Sequence, residues 1–206
     1  MVESGTEYGV IPEGWDFSRL DQVAKINSEA IKKLSGSEII NYIDIASVST
    51  GRIDPIQRMP FSDAPSRARR IVRNGDIIWS TVRPNRKSYS LIIKPVQDLI
   101  ASTGFAVIRA TNVPFTYLYH SITSEAFVNY LTNNAQGAAY PAVKSEDFGM
   151  AMILIPNSVT LNQFHNLVLG FYIQMETLAT ENISLKKMRD LLIPQLVTGK
   201  RILSPN

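Results

Sequence analysis

Arg67, Arg69, Arg70 and Arg73 lie within one seven-residue stretch, and Arg83, Arg86 and Lys87 follow shortly after, with Asp76 the single acid between Arg67 and Lys87. Guanidinium groups at this density suit anions, because their planar forks bind phosphate oxygens or the O6 and N7 edge of guanine. Between the two clusters, Asn74-Gly75-Asp76 reads as a turn and Ile77-Ile78-Trp79-Ser80-Thr81-Val82 as a strand. Basic side chains at both ends of one strand can converge on one edge of a sheet. Ser80, Thr81, Asn85 and Ser88 supply hydroxyl and amide groups that serve at phosphates and base edges. The expected nucleic-acid contacts are therefore Arg67, Arg69, Arg70, Arg83, Arg86 and Lys87, with Ser80, Thr81 and Asn85 at base edges or sugars. Lys144, beside the Tyr140-Pro141 loop, is a further candidate. The opposing reading is a solvated charged face.

Charge along the chain favours the first reading. Residues 1–44 carry four basic and eight acidic side chains, residues 45–94 ten and three, and residues 95–206 seven of each. The middle segment alone holds +7 of a net charge of +3, an uneven footprint of the kind that a polyanion meets.

Little in the chain points to catalysis. His120 and His165 sit in helical patterns without a motif around them, and there is no G-x-S-x-G, phosphate loop, H-E-x-x-H or dinucleotide fingerprint. Carboxylates are scattered, and Asp76 is expected to cap its own turn. The absence of cysteine excludes thiolate metal sites and disulfides and fits a reducing compartment. No apolar run has membrane-spanning length, and the first ten residues lack the pattern of a signal peptide. A cytoplasmic, non-catalytic protein is expected.

The elements that must position the basic residues form a mixed α+β domain over residues 1–157. Trp15 is expected as a core plug, followed by Phe17, Leu20, Val23 and Ile26 at helical spacing. Strand patterns cover 39–45, 77–82, 89–93, 104–108 and 150–155. Helical patterns cover 114–122 and 123–134, the second capped by Thr123 or Ser124. Ser145-Glu146-Asp147-Phe148 reads as one capped turn.

From Leu161 to Leu192, between Pro156 and Pro194, apolar residues repeat every seven positions. Leu161, Val168, Met175, Asn182 and Arg189 occupy one position of the repeat, and Phe164, Phe171, Leu178, Leu185 and Leu192 the other. Such a helix is roughly 50 Å long at about 1.5 Å per residue, against about 38 Å for the folded domain before it. Burying eight apolar side chains is worth on the order of 12–24 kcal/mol before entropy, so the seam calls for a partner helix. A hairpin broken near Gly170 or Thr180–Asn182 is the alternative. Asn182 at an inner position fixes register and pairing state at some cost in stability. Residues 158–206 are thus expected to be a pairing helix and tail.

Several motifs in order resemble one family. These are Ile11-Pro12-Glu13-Gly14-Trp15, the strand motif from Asn74 to Ser80, Ser102-Thr103-Gly104-Phe105, Ala139-Tyr140-Pro141-Ala142-Val143, Ile153-Leu154-Ile155-Pro156, and the run from Arg189 through Pro194-Gln195-Leu196-Val197-Thr198 to Gly199. Together they are similar to the specificity subunit of type I restriction-modification systems. The resemblance implies a target recognition domain that reads half of a split double-stranded DNA site. It also implies a helix that docks methyltransferase subunits and, through them, restriction subunits. S-adenosylmethionine, ATP and magnesium are then expected only on those partners. Complete subunits of this family carry two recognition domains and two such helices, whereas this sequence holds one of each. A homodimer with antiparallel helices, or pairing with a different half, would restore the pair and, in the symmetric case, read an interrupted palindrome. The family carries no base-reading residues across by motif. Two other classes compete: a coiled-coil adaptor without specific DNA readout, and a nuclease or methyltransferase fused to a recognition domain.

Overall fold

The computed structural model describes residues 1–3, 10–31 and 37–199. The chain forms two units, Met1–Leu167 and Val168–Asn206. The expected reading of the first ten residues falls partly, and that of the tail 200–206 entirely, outside the described residues.

In chain order the elements are β1 (Val2–Glu3), β2 (Val10–Ile11), β3 (Asp16–Arg19), the single turn α1 (Leu20–Val23), β4 (Ala24–Ile26), β5 (Ile39–Ile43), β6 (Val48–Ser49), β7 (Arg52–Ile53), β8 (Gln57–Pro60), β9 (Ala68–Ile71), β10 (Ile77–Ser80), β11 (Tyr89–Leu91), β12 (Leu99–Ser102) and β13 (Phe105–Ala110). Then come α2 (Phe115–Ile122), α3 (Glu125–Asn134), α4 (Ser145–Met150), β14 (Met152–Ile155) and α5 (Ser158–Val197). The expected α+β domain followed by a long helix is the architecture observed.

Two four-stranded sheets form the domain, in the orders β11-β10-β13-β4 and β8-β5-β12-β9. Only the β12–β5 pairing within these sheets is parallel. Ile78 and Val107 of the first sheet share a buried cluster with Ile43 and Ala101 of the second, so the sheets pack against each other. On the other face of β10, Trp79 is fully buried. Its indole N–H donates to the Ile122 carbonyl at 3.0 Å, and its ring lies 5.0 to 6.4 Å from those of Tyr89, Phe127 and Phe148. Both faces of β10 are therefore covered, which is why its sequence is a continuous apolar run and not an alternating one.

Four expectations are corrected. Phe17 to Ile26 is strand, one helical turn and strand, because β3 pairs with β14 and β4 with β13, and sheet pairing overrides the helix-like spacing. Trp15 is only half-buried, and the core tryptophan is Trp79. Strands β9 and β12 were not expected: the first hides its pattern behind Arg69 and Arg70, and the second is a short buried run. Finally, α5 does not stop before Pro194 but runs to Val197. An exposed proline removes one amide donor without burying an unmet carbonyl, and the turn after the helix closes at Gly199, whose φ of 67° is left-handed.

Within the first unit, Asn157 caps the start of α5, its side-chain oxygen accepting from Thr160 N at 2.9 Å. Its first turns pack on α2: His165 Nδ1 lies 2.9 Å from Thr116 Oγ1, and Phe164 meets the rings of Tyr117 and His120 edge-on. Both histidines thus take part in packing. Further on, Phe171, Met175, Leu178 and Leu185 of the repeat are exposed in the single chain.

Candidate nucleic-acid interface

The turn Ser102-Thr103-Gly104-Phe105, between β12 and β13, joins the two sheets at one end of the domain. Thr103 N donates to the Arg67 carbonyl at 2.8 Å, which places the start of β9 there. Thr81 N and Oγ1 both donate to the Gly104 carbonyl at 2.9 Å, which places the end of β10 beside it. A Cβ at position 104 would sit 2.0 Å from Ile45 Cδ1, so any larger residue there would have to displace that side chain. Beyond Thr81, the carbonyl of that residue accepts from Val143 N at 2.9 Å, and Arg83 N donates to the Pro141 carbonyl at 2.7 Å. Two bonds of 2.9 Å between Gln136 and Ala142 close the loop that carries Tyr140. Three motifs far apart in sequence thereby form one rim that carries Arg67, Thr81, Arg83 and Lys144.

Arg83 and Lys87 flank the 3₁₀ turn Pro84–Arg86, both left-handed at φ 50° and 54°. Non-glycine residues hold that conformation only where their surroundings enforce it. At Arg83 the enforcement is visible: Nη2 donates to the Ala139 carbonyl at 3.1 Å and the guanidinium lies 4.4 Å from the Tyr140 ring centroid. Tyr140 itself is 69% exposed. Asn85 and Arg86 are exposed at the tip of the turn.

The expected residues divide by what they touch. No ion pair among the described residues involves Arg58, Arg67, Arg69, Arg70, Arg83 or Arg86. Arg69 lies over the Phe61 ring and donates to the Ala68 carbonyl, while burial without an opposite charge pushes the Arg70 guanidinium pKa down. Arg70 Nε is buried with no hydrogen-bond partner. Lys87 pairs with Glu125, whose hydrogen bond and charge hold its ammonium above the usual value. Ser80 is buried, its hydroxyl donating to the Val82 carbonyl at 2.9 Å, and Thr81 gives its hydroxyl to Gly104. Those two side chains shape the rim from within.

At the opposite end of β10, Asp76 does more than cap its turn. It is fully buried and accepts from Arg73 N at 2.7 Å and from Arg109 Nε and Nη2 at 2.7 Å each. Glu29 bridges Arg109 and Arg73 at 2.8 Å apiece. The bidentate bond from Asp76 raises the Arg109 pKa. Burial alone would raise Glu29, but the hydrogen bonds and charges of Arg109 and Arg73 outweigh it and hold the carboxyl below its ordinary 4.5. Arg73 is thus neutralised, while the arginines of the rim are not.

Sequence reasoning missed the pairing of Arg83 with Tyr140, because it joins residues more than fifty positions apart.

No known family profile matches the chain. It is 23% identical over 202 residues to the MjaIX type I restriction enzyme specificity subunit of Methanocaldococcus jannaschii, covering 92% of this chain and 45% of that protein. The crystal structure of the HsdS subunit from Thermoanaerobacter tengcongensis superposes with a TM-score of 0.69 and 28% identity, over 93% of this chain and 50% of that one. A chain solved in work on complex assembly and conformational transition of the type I restriction-modification system gives a TM-score of 0.69 and 27% identity, over 95% and 53%. In both fold and sequence the chain is similar to type I specificity subunits. It spans about half the length of the relatives that it matches.

Proposed function

We propose that this chain is a half-length, non-catalytic DNA specificity subunit of a type I restriction-modification system. Its first unit binds one half of a bipartite DNA site, and its long helix pairs with a second half and docks methyltransferase subunits in a cytoplasmic complex. The observation that supports the reading is the rim, where arginines without carboxylate partners meet on motifs that resemble those of specificity subunits, in a chain whose fold is similar to theirs.

The helix supports the second half of the reading. Phe171, Leu178 and Leu185 are 59%, 48% and 58% exposed in the single chain. Ile173 and Leu191, at 39% and 62%, lie about half a turn away from that seam at roughly 100° per residue. One partner helix covers the seam, and the opposite side is left for a second protein. A second copy of this chain is the simplest partner for the seam, and its two-fold symmetry makes the target an interrupted palindrome.

Titration of a fluorescent duplex with the chain bound to its methyltransferase subunit tests the proposal. If about six arginines meet phosphates, log K falls against log salt with a slope near ~5. Binding too weak to measure at low salt, or unaffected by salt, argues for an adaptor without DNA readout.

A further inference from the structure

We propose that Arg83 reads a base, taking the O6 and N7 edge of a guanine in the major groove, and that Tyr140 is the residue that holds it in reading position. The inference rests on the DNA reading above and narrows it to one side chain. Phosphate binding asks only for positive charge within reach, which a mobile arginine or a lysine supplies. Bidentate base reading asks for a planar fork at a fixed tilt.

The rim arginines differ in this respect. Arg67 and Arg86 are exposed, and no side-chain hydrogen bond to either is present among the described residues. Arg83 is constrained at four points. Its backbone is left-handed, its amide is tied to Pro141, one Nη2 proton goes to the Ala139 carbonyl, and its guanidinium carbon lies over the Tyr140 ring, 4.4 Å from the centroid. Those constraints leave the Nη1 amino group, the Nε–H and the second Nη2 proton for an outside acceptor. No carboxylate competes for them.

The loop beneath is built to the same end. Gly137 has φ 104°, and a Cβ there would come within 3.2 Å of the Tyr140 carbonyl. The chain turns there to present a tyrosine that is 69% exposed and touches the one arginine it supports. An aromatic ring left at the surface and stacked by a cation is more useful as a platform than as packing.

The test compares DNA bound from a random-duplex library by the methyltransferase complex carrying the wild-type chain, Arg83→Lys, Tyr140→Ala, Tyr140→Phe or Arg86→Lys. Lysine keeps the charge and loses the fork. Arg83→Lys should keep the wild-type affinity for random duplex and its salt slope, yet lose roughly 10- to 100-fold preference for guanine at one position of the motif. Tyr140→Ala should weaken the preference at that same position, whereas Tyr140→Phe, which keeps the ring, and Arg86→Lys should leave the motif intact. An unchanged motif in Arg83→Lys overturns the proposal, as does a uniform loss of affinity across all sequences. A wild-type complex that enriches no motif removes the DNA reading itself, and the proposal with it, and is told apart by needing no variant.

Discussion

Asp76 and Arg109 show how one buried charge decides the chemistry around it. Asp76 is wholly out of water and Arg109 partly so, with side-chain exposures of 0% and 22%. Truncating one partner of such a pair leaves the other uncompensated, and Arg109→Leu should therefore lower stability by about 3–5 kcal/mol in urea denaturation. DNA affinity of the folded fraction should not change, because this cluster sits at the far end of β10 from the rim. Glu29 adds a pH dependence. Its carboxyl is held below 4.5 in the folded chain, so the stability it contributes is present above that value and is lost as the pH falls through the lower, folded-state value. The melting temperature should drop with acid in that window, and less so in Glu29→Gln. Gly104 carries the same logic into the rim. Gly104→Ala would press on Ile45, and overpacking of this kind costs about 1–3 kcal/mol. The same denaturation curves measure it. Asp76 was legible in the sequence as a turn residue, since its side chain does accept from Arg73 N. Its main partner, thirty-three positions away, was not.

At the scale of elements, the readable parts were those whose pattern is local. The Ser124 cap, the turn before Ile77 and the apolar faces of α2 and α3 follow from neighbouring residues alone, and these elements lie close to where the sequence places them. Elements that exist only because a distant strand pairs with them were hidden. β12 is buried between β5 and β9, and its four residues carry no periodicity of their own. Arg69 and Arg70 read as a charge cluster until β12 draws them into a strand. The helix α5 falls between these cases: its heptad repeat is local, while in the proposed pairing the surface that satisfies it lies on another chain. Replacing Phe171 and Leu178 together by serine should leave the fold of the first unit intact, because both are exposed in the single chain. It should also abolish pairing, which sedimentation at micromolar concentration would report as a mass of one chain. Asn182→Leu should act in the opposite direction, tightening association while loosening its register.

Taken whole, the chain carries a cationic rim on its first unit and a run of exposed apolar residues along its long helix. The rim depends on three sequence motifs meeting at the Thr103-Gly104 turn, and its site residues were only partly legible for that reason. Charge identified the segment, but it could not say that Arg73 and Lys87 would be neutralised or that Ser80 would be buried. The similarity to type I specificity subunits over about half their length sets the remaining question, which is whether a second copy of this chain completes the proposed DNA site. Selection from a random-duplex library by the purified chain, with and without its methyltransferase subunit, addresses it most directly. The account predicts a two-part palindromic motif with a fixed spacing between its halves. A single half-site would contradict the symmetric pairing, and no enriched sequence in either condition would contradict DNA recognition altogether.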